Sequence, residues 1–167
     1  MTSKSIPVFA STNGGGLWRA LTAAVCGAMV LSAQPSAAAQ MLVDFTVHET
    51  NPNTQGEIIQ GQLEGCPEPT VWTLNPGSSQ SGPIMSFNGS KKIDCGDGNS
   101  LTSAFKVRTS ECRPTAEGAW KVASGTGLFA SAEGQGKLVG TYTLGNGSGT
   151  FCNKDGINDH YTGKLQY

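Results

Sequence analysis

The chain has 167 residues, a formal net charge of −1, 14% charged residues, 23 glycines and five cysteines. Its 11 basic residues against 12 acids exclude the positive surface of a nucleic-acid binder. The 37% apolar content and low charge exclude a disordered chain and a coiled coil, and the length suits one domain.

Residues 1–39 read as a cleaved secretory signal peptide. Lys4 and Arg19 are the only charges before Asp44. A mostly apolar run of 12 residues, Ala20 to Leu31, follows. It is short of the ~20 that span a bilayer. Pro35, Ser36 and Ala37-Ala38-Ala39 then supply the small residues of an A-x-A cleavage site. Cleavage after Ala39 leaves a domain of residues 40–167 with no membrane span. The two lost charges are both basic, so its charge becomes −3.

From there the chain alternates apolar and polar residues, with no sustained helical period. Val43, Phe45 and Val47 share one face, opposite Asp44, Thr46 and His48. Further strands are predicted at Glu57 to Leu63 and Thr70 to Leu74. Gly77 to Pro83 reads as an exposed loop. Ile84 to Cys95 reads as two short strands broken at Asn88-Gly89. Leu101, Ser103, Phe105 and Val107 alternate with polar or small neighbours, as do Trp120 and Val122. So do Leu138, Gly140, Tyr142 and Leu144, and the ending Tyr161, Gly163, Leu165 and Tyr167.

Asn75-Pro76-Gly77, Asn88-Gly89, Asp97-Gly98, Asn146-Gly147 and Asp155-Gly156 are turn signals, because Asn, Asp and Gly tolerate positive φ. Short strands between such turns predict an all-β, antiparallel barrel of about eight strands, with a β-sandwich as the alternative. Gly125 to Gly136 holds four glycines around Leu128 and Phe129 in Gly-Thr-Gly-Leu-Phe-Ala-Ser-Ala-Glu-Gly-Gln-Gly order. No Lys-Ser/Thr pair and no long helix follow, so it is not a phosphate cradle. It predicts one short helical turn near 128–132 that buries Leu128 and Phe129.

Cys26 leaves with the signal peptide. Cys66, Cys95, Cys112 and Cys152 remain, an even number in an exported chain, which predicts two disulfides. Their gaps of 29, 17 and 40 lack the close ligand pairs of a zinc site. Three pairings are open on spacing alone.

Gly118-Ala119-Trp120-Lys121-Val122, Gly125-Thr126-Gly127-Leu128-Phe129 and Glu133-Gly134-Gln135-Gly136 together resemble a family of small secreted bacterial proteins of unknown function. Phe87 to Gly96 and Asp159 to Leu165 fit the same family. The Gly-Thr-Gly-x-Phe element is also similar to the barrels of allene oxide cyclase and dirigent proteins. The first resemblance implies a bridge between Cys66 and Cys95, which leaves Cys112 for Cys152.

No catalytic constellation is visible. His48 and His160 are the only histidines and lack a third ligand at close spacing, so no metal site is expected. The Asp- and Asn-rich runs at 94–99 and 153–159 are explained by turn chemistry. No cofactor motif occurs. Trp72 and Tyr142 are the candidate ligand-binding residues, because aromatic rings offer broad apolar contact; Trp120 reads as core. The expected function is non-catalytic binding of a small apolar ligand or a surface partner. The alternative is a cyclase- or dirigent-like enzyme that steers a reactive intermediate inside the barrel. An inward-facing Asp44, Glu64 or Arg108 would favour the enzyme.

Overall fold

The computed structural model describes residues 40–50, 55–145 and 147–167. The expected signal peptide lies outside them. The strands are β1 (Gln40–Thr50), β2 (Gln55–Gly61), β3 (Thr70–Ser81), β4 (Ile84–Asp94), β5 (Ser100–Ser110), β6 (Thr115–Thr126), β7 (Glu133–Leu144), β8 (Gly147–Ser148) and β9 (Gly156–Gln166).

Every pairing is antiparallel. β1 to β6 follow one another in the sheet, β6 pairs with β7, β7 with β9, and β9 with β1. The sheet therefore closes on itself as a barrel of eight strands, with β8 hung on β7 alone. Closure removes the free edges a sandwich would leave. One seam is thin: β2 meets β3 over three pairs, Gln55–Trp72 to Glu57–Thr70.

Alternation decides what fills the ring, since successive side chains point to opposite faces. Val43, Phe45 and Val47 on β1 turn inward, as do Ile93 on β4, Leu101 and Val107 on β5, and Trp120 on β6. Leu138 and Tyr142 on β7, with Tyr161 and Leu165 on β9, complete the core. Phe45 stacks on Tyr161 at 5.0 Å between ring centres. Trp120 Nε1 donates to the Thr162 carbonyl at 3.1 Å.

Two turn signals are not turns. β4 runs unbroken through Asn88-Gly89. A Cβ on Gly89 would lie 3.0 Å from the Phe105 ring of the neighbouring strand, so this glycine makes room rather than a corner. The expected loop at 77–83 is mostly strand: Gly77 to Ser81 pair with Asn88 to Ile84. Asn75, at φ 49°, lies in an irregularity of β3 between Leu74 and Gly77, after which pairing resumes. Only Gly82, at φ 59°, carries a tight turn there.

The glycine-rich stretch closes one end of the barrel. Gly127–Phe129 is a single 3-10 turn. Phe129 is fully buried and meets Tyr167 edge-on at 4.8 Å. Asn99 Oδ1 accepts the Leu128 N–H at 2.8 Å. A Cβ on Gly127, at φ 57°, would fall on that same oxygen. Cys66 is bonded to Cys95 at this end, between the β2–β3 connection and the end of β4. Cys112 is bonded to Cys152 at the other end, between the β5–β6 and β8–β9 connections. Both pairs are those implied by the family resemblance.

Candidate ligand cavity

At the end opposite Phe129 the barrel interior is not filled. A cavity of about 350 Å³ is lined by Phe87, Phe105, Val107, Leu138, Tyr142 and Phe151, among others. Three charged side chains join that apolar wall: Glu49 from β1, Lys91 from β4 and Asp159 from β9. Each sits on the inward parity of its strand, two residues beyond a core position: Val47, Ile93 and Tyr161. A larger hollow of about 550 Å³ lies beside Lys121, Glu133 and Lys164, but those charges are exposed.

Lys91 is only 2% exposed. Its ammonium bonds Glu49 Oε2 and lies 2.9 Å from Asp159 Oδ2. Thr73 donates to Glu49 Oε1 at 2.5 Å. The Phe105 ring faces the lysine, with Nζ 5.7 Å from its centre. Buried charges persist when paired and hydrogen-bonded, a condition that Lys91 and Glu49 meet, while Asp159 shares the same lysine through an ion pair alone.

Two tyrosines border the triad. Burial pushes the Tyr142 phenol up to about 12; the Thr109 hydroxyl opposes this and the Asp159 carboxylate adds to it. Tyr161 is raised well above the ordinary tyrosine value, first by complete burial and then by Asp159 and Glu49. The Ser103 hydroxyl pulls it slightly down. Yet neither Tyr161 Oη nor Ser103 Oγ has a partner in hydrogen-bonding geometry, so that influence is weak. At the mouth, Lys154 donates to the Phe151 carbonyl at 2.6 Å and lies 4.0 Å above the Phe151 ring and 5.1 Å above Tyr142. Burial holds its ammonium below the usual lysine value.

Of the residues singled out in the sequence, Tyr142 lines this cavity and Trp72 does not. Trp72 has outward parity on β3, is 39% exposed, and pairs with Gln55 and Lys92. Asp44 faces outward and bonds His160 Nε2 at 2.8 Å. Glu64 and Arg108 are exposed. His48 Nδ1 lies 2.7 Å from Asn158 Oδ1, away from the cavity lining. Glu49, Lys91 and Asp159 were not anticipated, although the alternation that identified Val47, Ile93 and Tyr161 places them on the same inner face.

No family model matches the chain. No curated protein matches it. Among solved structures it is similar to the pterocarpan synthase dirigent protein GePTS1, at 14% identity and a TM-score of 0.39, over 84% of this chain and 99% of that one.

Among the described residues, no helix is long and apolar enough to cross a membrane, which leaves open what strands do. Two disulfides suit an oxidising compartment.

Proposed function

We propose that the protein is an exported binding barrel that takes a small, largely apolar molecule into the open end of its interior. The observation that carries this is the cavity of about 350 Å³ walled by aromatic and aliphatic side chains. That volume lies at the lower end of small-molecule sites, and apolar walls with a few polar groups are their usual lining. Burial of apolar ligand surface would supply most of the affinity.

The test is calorimetric titration of the chain with 2-naphthylmethanol, a neutral, compact aromatic probe. Ala116 lines the cavity and is 1% exposed. Ala116→Leu fills part of the space, so it is expected to weaken binding strongly, and Ala116→Val less. Binding unaffected by either change would place the ligand elsewhere. Export belongs to the same reading, and mass spectrometry should find the mature N-terminus at Gln40.

A second reading is favoured by one feature, the charged groups in the wall. Glu49 and Asp159 could accept a proton and Lys91 could hold a developing anion, which is what an enzyme steering a reactive intermediate would need. Once a bound molecule is identified, its unchanged recovery after long incubation would remove this reading and leave the binding one.

A further inference from the structure

We infer that the cavity selects a ligand carrying a protonated amine, whose ammonium group bonds the free oxygen of Asp159. This rests on the ligand-binding reading and adds the chemical class of the ligand to it.

The inference follows from counting charges and bonding atoms in the triad. Two carboxylates face one ammonium. Both oxygens of Glu49 are engaged, Oε1 by the Thr73 hydroxyl and Oε2 by Lys91. Lys91 donates to Glu49 and is in ion-pair contact with Asp159 at 2.9 Å, and its remaining side faces the Phe105 ring. Asp159 gives Oδ2 to Lys91, while Oδ1 accepts no hydrogen bond among the described residues. The residue is 7% exposed and lines the cavity. One negative charge is thus left buried and open on one atom. An uncompensated buried charge is among the costliest features a protein can keep. A cation arriving from the cavity would compensate it.

Three further features suit an organic ammonium. Gly140 stands across from Asp159 in the β7–β9 pairing. A Cβ there would lie 2.7 Å from Oδ1 and 2.6 Å from Ile157 Cδ1, so the absent side chain keeps this corner of the wall open. The surrounding rings of Phe87, Phe105, Phe151 and Tyr142 offer faces that attract cations. And the site is short of ligands for a metal, since no group of three or more His, Cys, Asp or Glu side chains is placed to hold one among the described residues. Lys154 does not fill the role, because its ammonium is held at the mouth by the Phe151 carbonyl and two rings.

The experiment compares three probes of one shape on the full chain at neutral pH: 2-naphthylmethylamine, 2-naphthylmethanol and 2-naphthoate. The amine is expected to bind about tenfold or more tightly than the alcohol, as a charge-assisted bond would give, and the carboxylate most weakly. Asp159→Asn, nearly isosteric but uncharged, should bring amine and alcohol to within about threefold of each other, while the outward-facing Asp44→Asn should leave the preference intact. The wild-type ranking stands alone if Asp159→Asn does not fold. Equal binding of amine and alcohol overturns the inference and leaves the apolar-cavity reading standing. So does a preference that survives Asp159→Asn in a folded variant. Failure of all three probes to bind removes both.

Discussion

The two ends of the barrel are built from the same alternating strands and finished in opposite ways. At the closed end a 3-10 turn drives Phe129 into the ring, where it is fully buried against Tyr167. At the open end Phe87, Phe105 and Phe151 are only partly buried, and a cavity remains between them. The closed end is sealed by apolar packing and a side-chain amide, Asn99. The open end places Lys91, Glu49 and Asp159 beneath the space. A disulfide stands at each end, but only Cys112–Cys152 adjoins a cavity residue, Phe151. One end holds the barrel together, and the other has the ingredients of a site.

The largest effects should come from removing the group on which each end depends. Phe129→Ala empties the seal and is expected to cost about 3–5 kcal/mol in denaturant unfolding, as for other buried aromatics. Lys91→Met leaves Glu49 and Asp159 buried without their shared cation, and is expected to cost a similar ~3–5 kcal/mol. The ends should then part company in their second readout. The Phe129 variant, where folded, should still bind an apolar probe, and the Lys91 variant should bind it differently. If Lys91→Met is neutral, the lysine is not what holds the two buried carboxylates in place.

The disulfides give the next contrast. They close loops of 29 and 40 residues, each worth about 3–4 kcal/mol by the chain-entropy account. Cys66→Ser/Cys95→Ser and Cys112→Ser/Cys152→Ser are therefore expected to lose comparable stability. Only the second pair should loosen the mouth. Phe151 N–H donates to the Arg113 carbonyl at 2.8 Å next to that bridge, and Lys154 follows three residues later. Probe affinity should fall more in the second variant than in the first when both are measured well below their unfolding midpoints.

Smaller again is the alkaline response of Tyr142. Its phenol is raised to about 12 in the fold, so the neutral form is the one the fold favours. That contribution is complete below the ordinary tyrosine value of 10.0 and is lost as pH climbs from there toward about 12. At ~1.4 kcal/mol per pH unit it amounts to about 2–3 kcal/mol. Tyr161 and Tyr167 are raised as well. Phenolate absorbance should thus stay low at pH 10 in the folded protein and be half developed in denatured chain. Half-developed absorbance in the folded protein would contradict the burial of these rings.

Much of the fold could be read from alternation. Val43, Phe45 and Val47, or Leu101 to Val107, show their inward face by period alone. The turn near Phe129 was legible from its glycines, but it spans Gly127–Phe129 rather than 128–132 and buries Phe129 alone, leaving Leu128 exposed. Asn88-Gly89 was misread because the same dipeptide serves a hairpin and a strand whose neighbour needs space, and only the Phe105 ring tells them apart. The charged site was half visible. Inward parity assigns Glu49, Lys91 and Asp159 to the interior, yet Lys91-Lys92 reads as a solvated pair and Asp159 as part of a polar loop. Bringing them together depends on ring closure and on the β1–β9 register, which pairs Val47 with Asp159 and Glu49 with Ile157. No local pattern encodes that register.

The smallest expected effect isolates what inward parity contributes. Asp44 lies on β1, as Glu49 does, but faces out, and its bond to His160 is made by side chains that are 78% and 46% exposed. Exposed pairs of this kind contribute about 0–1 kcal/mol and fade with salt. Asp44→Ala should therefore lower stability by no more than that, and should leave probe binding unchanged. Glu49 stands five residues further along the same strand, an odd step that turns its carboxylate from solvent to the cavity. If Asp44→Ala altered binding as much as a change at Glu49, the division of β1 into an inner and an outer face would not be what places the site.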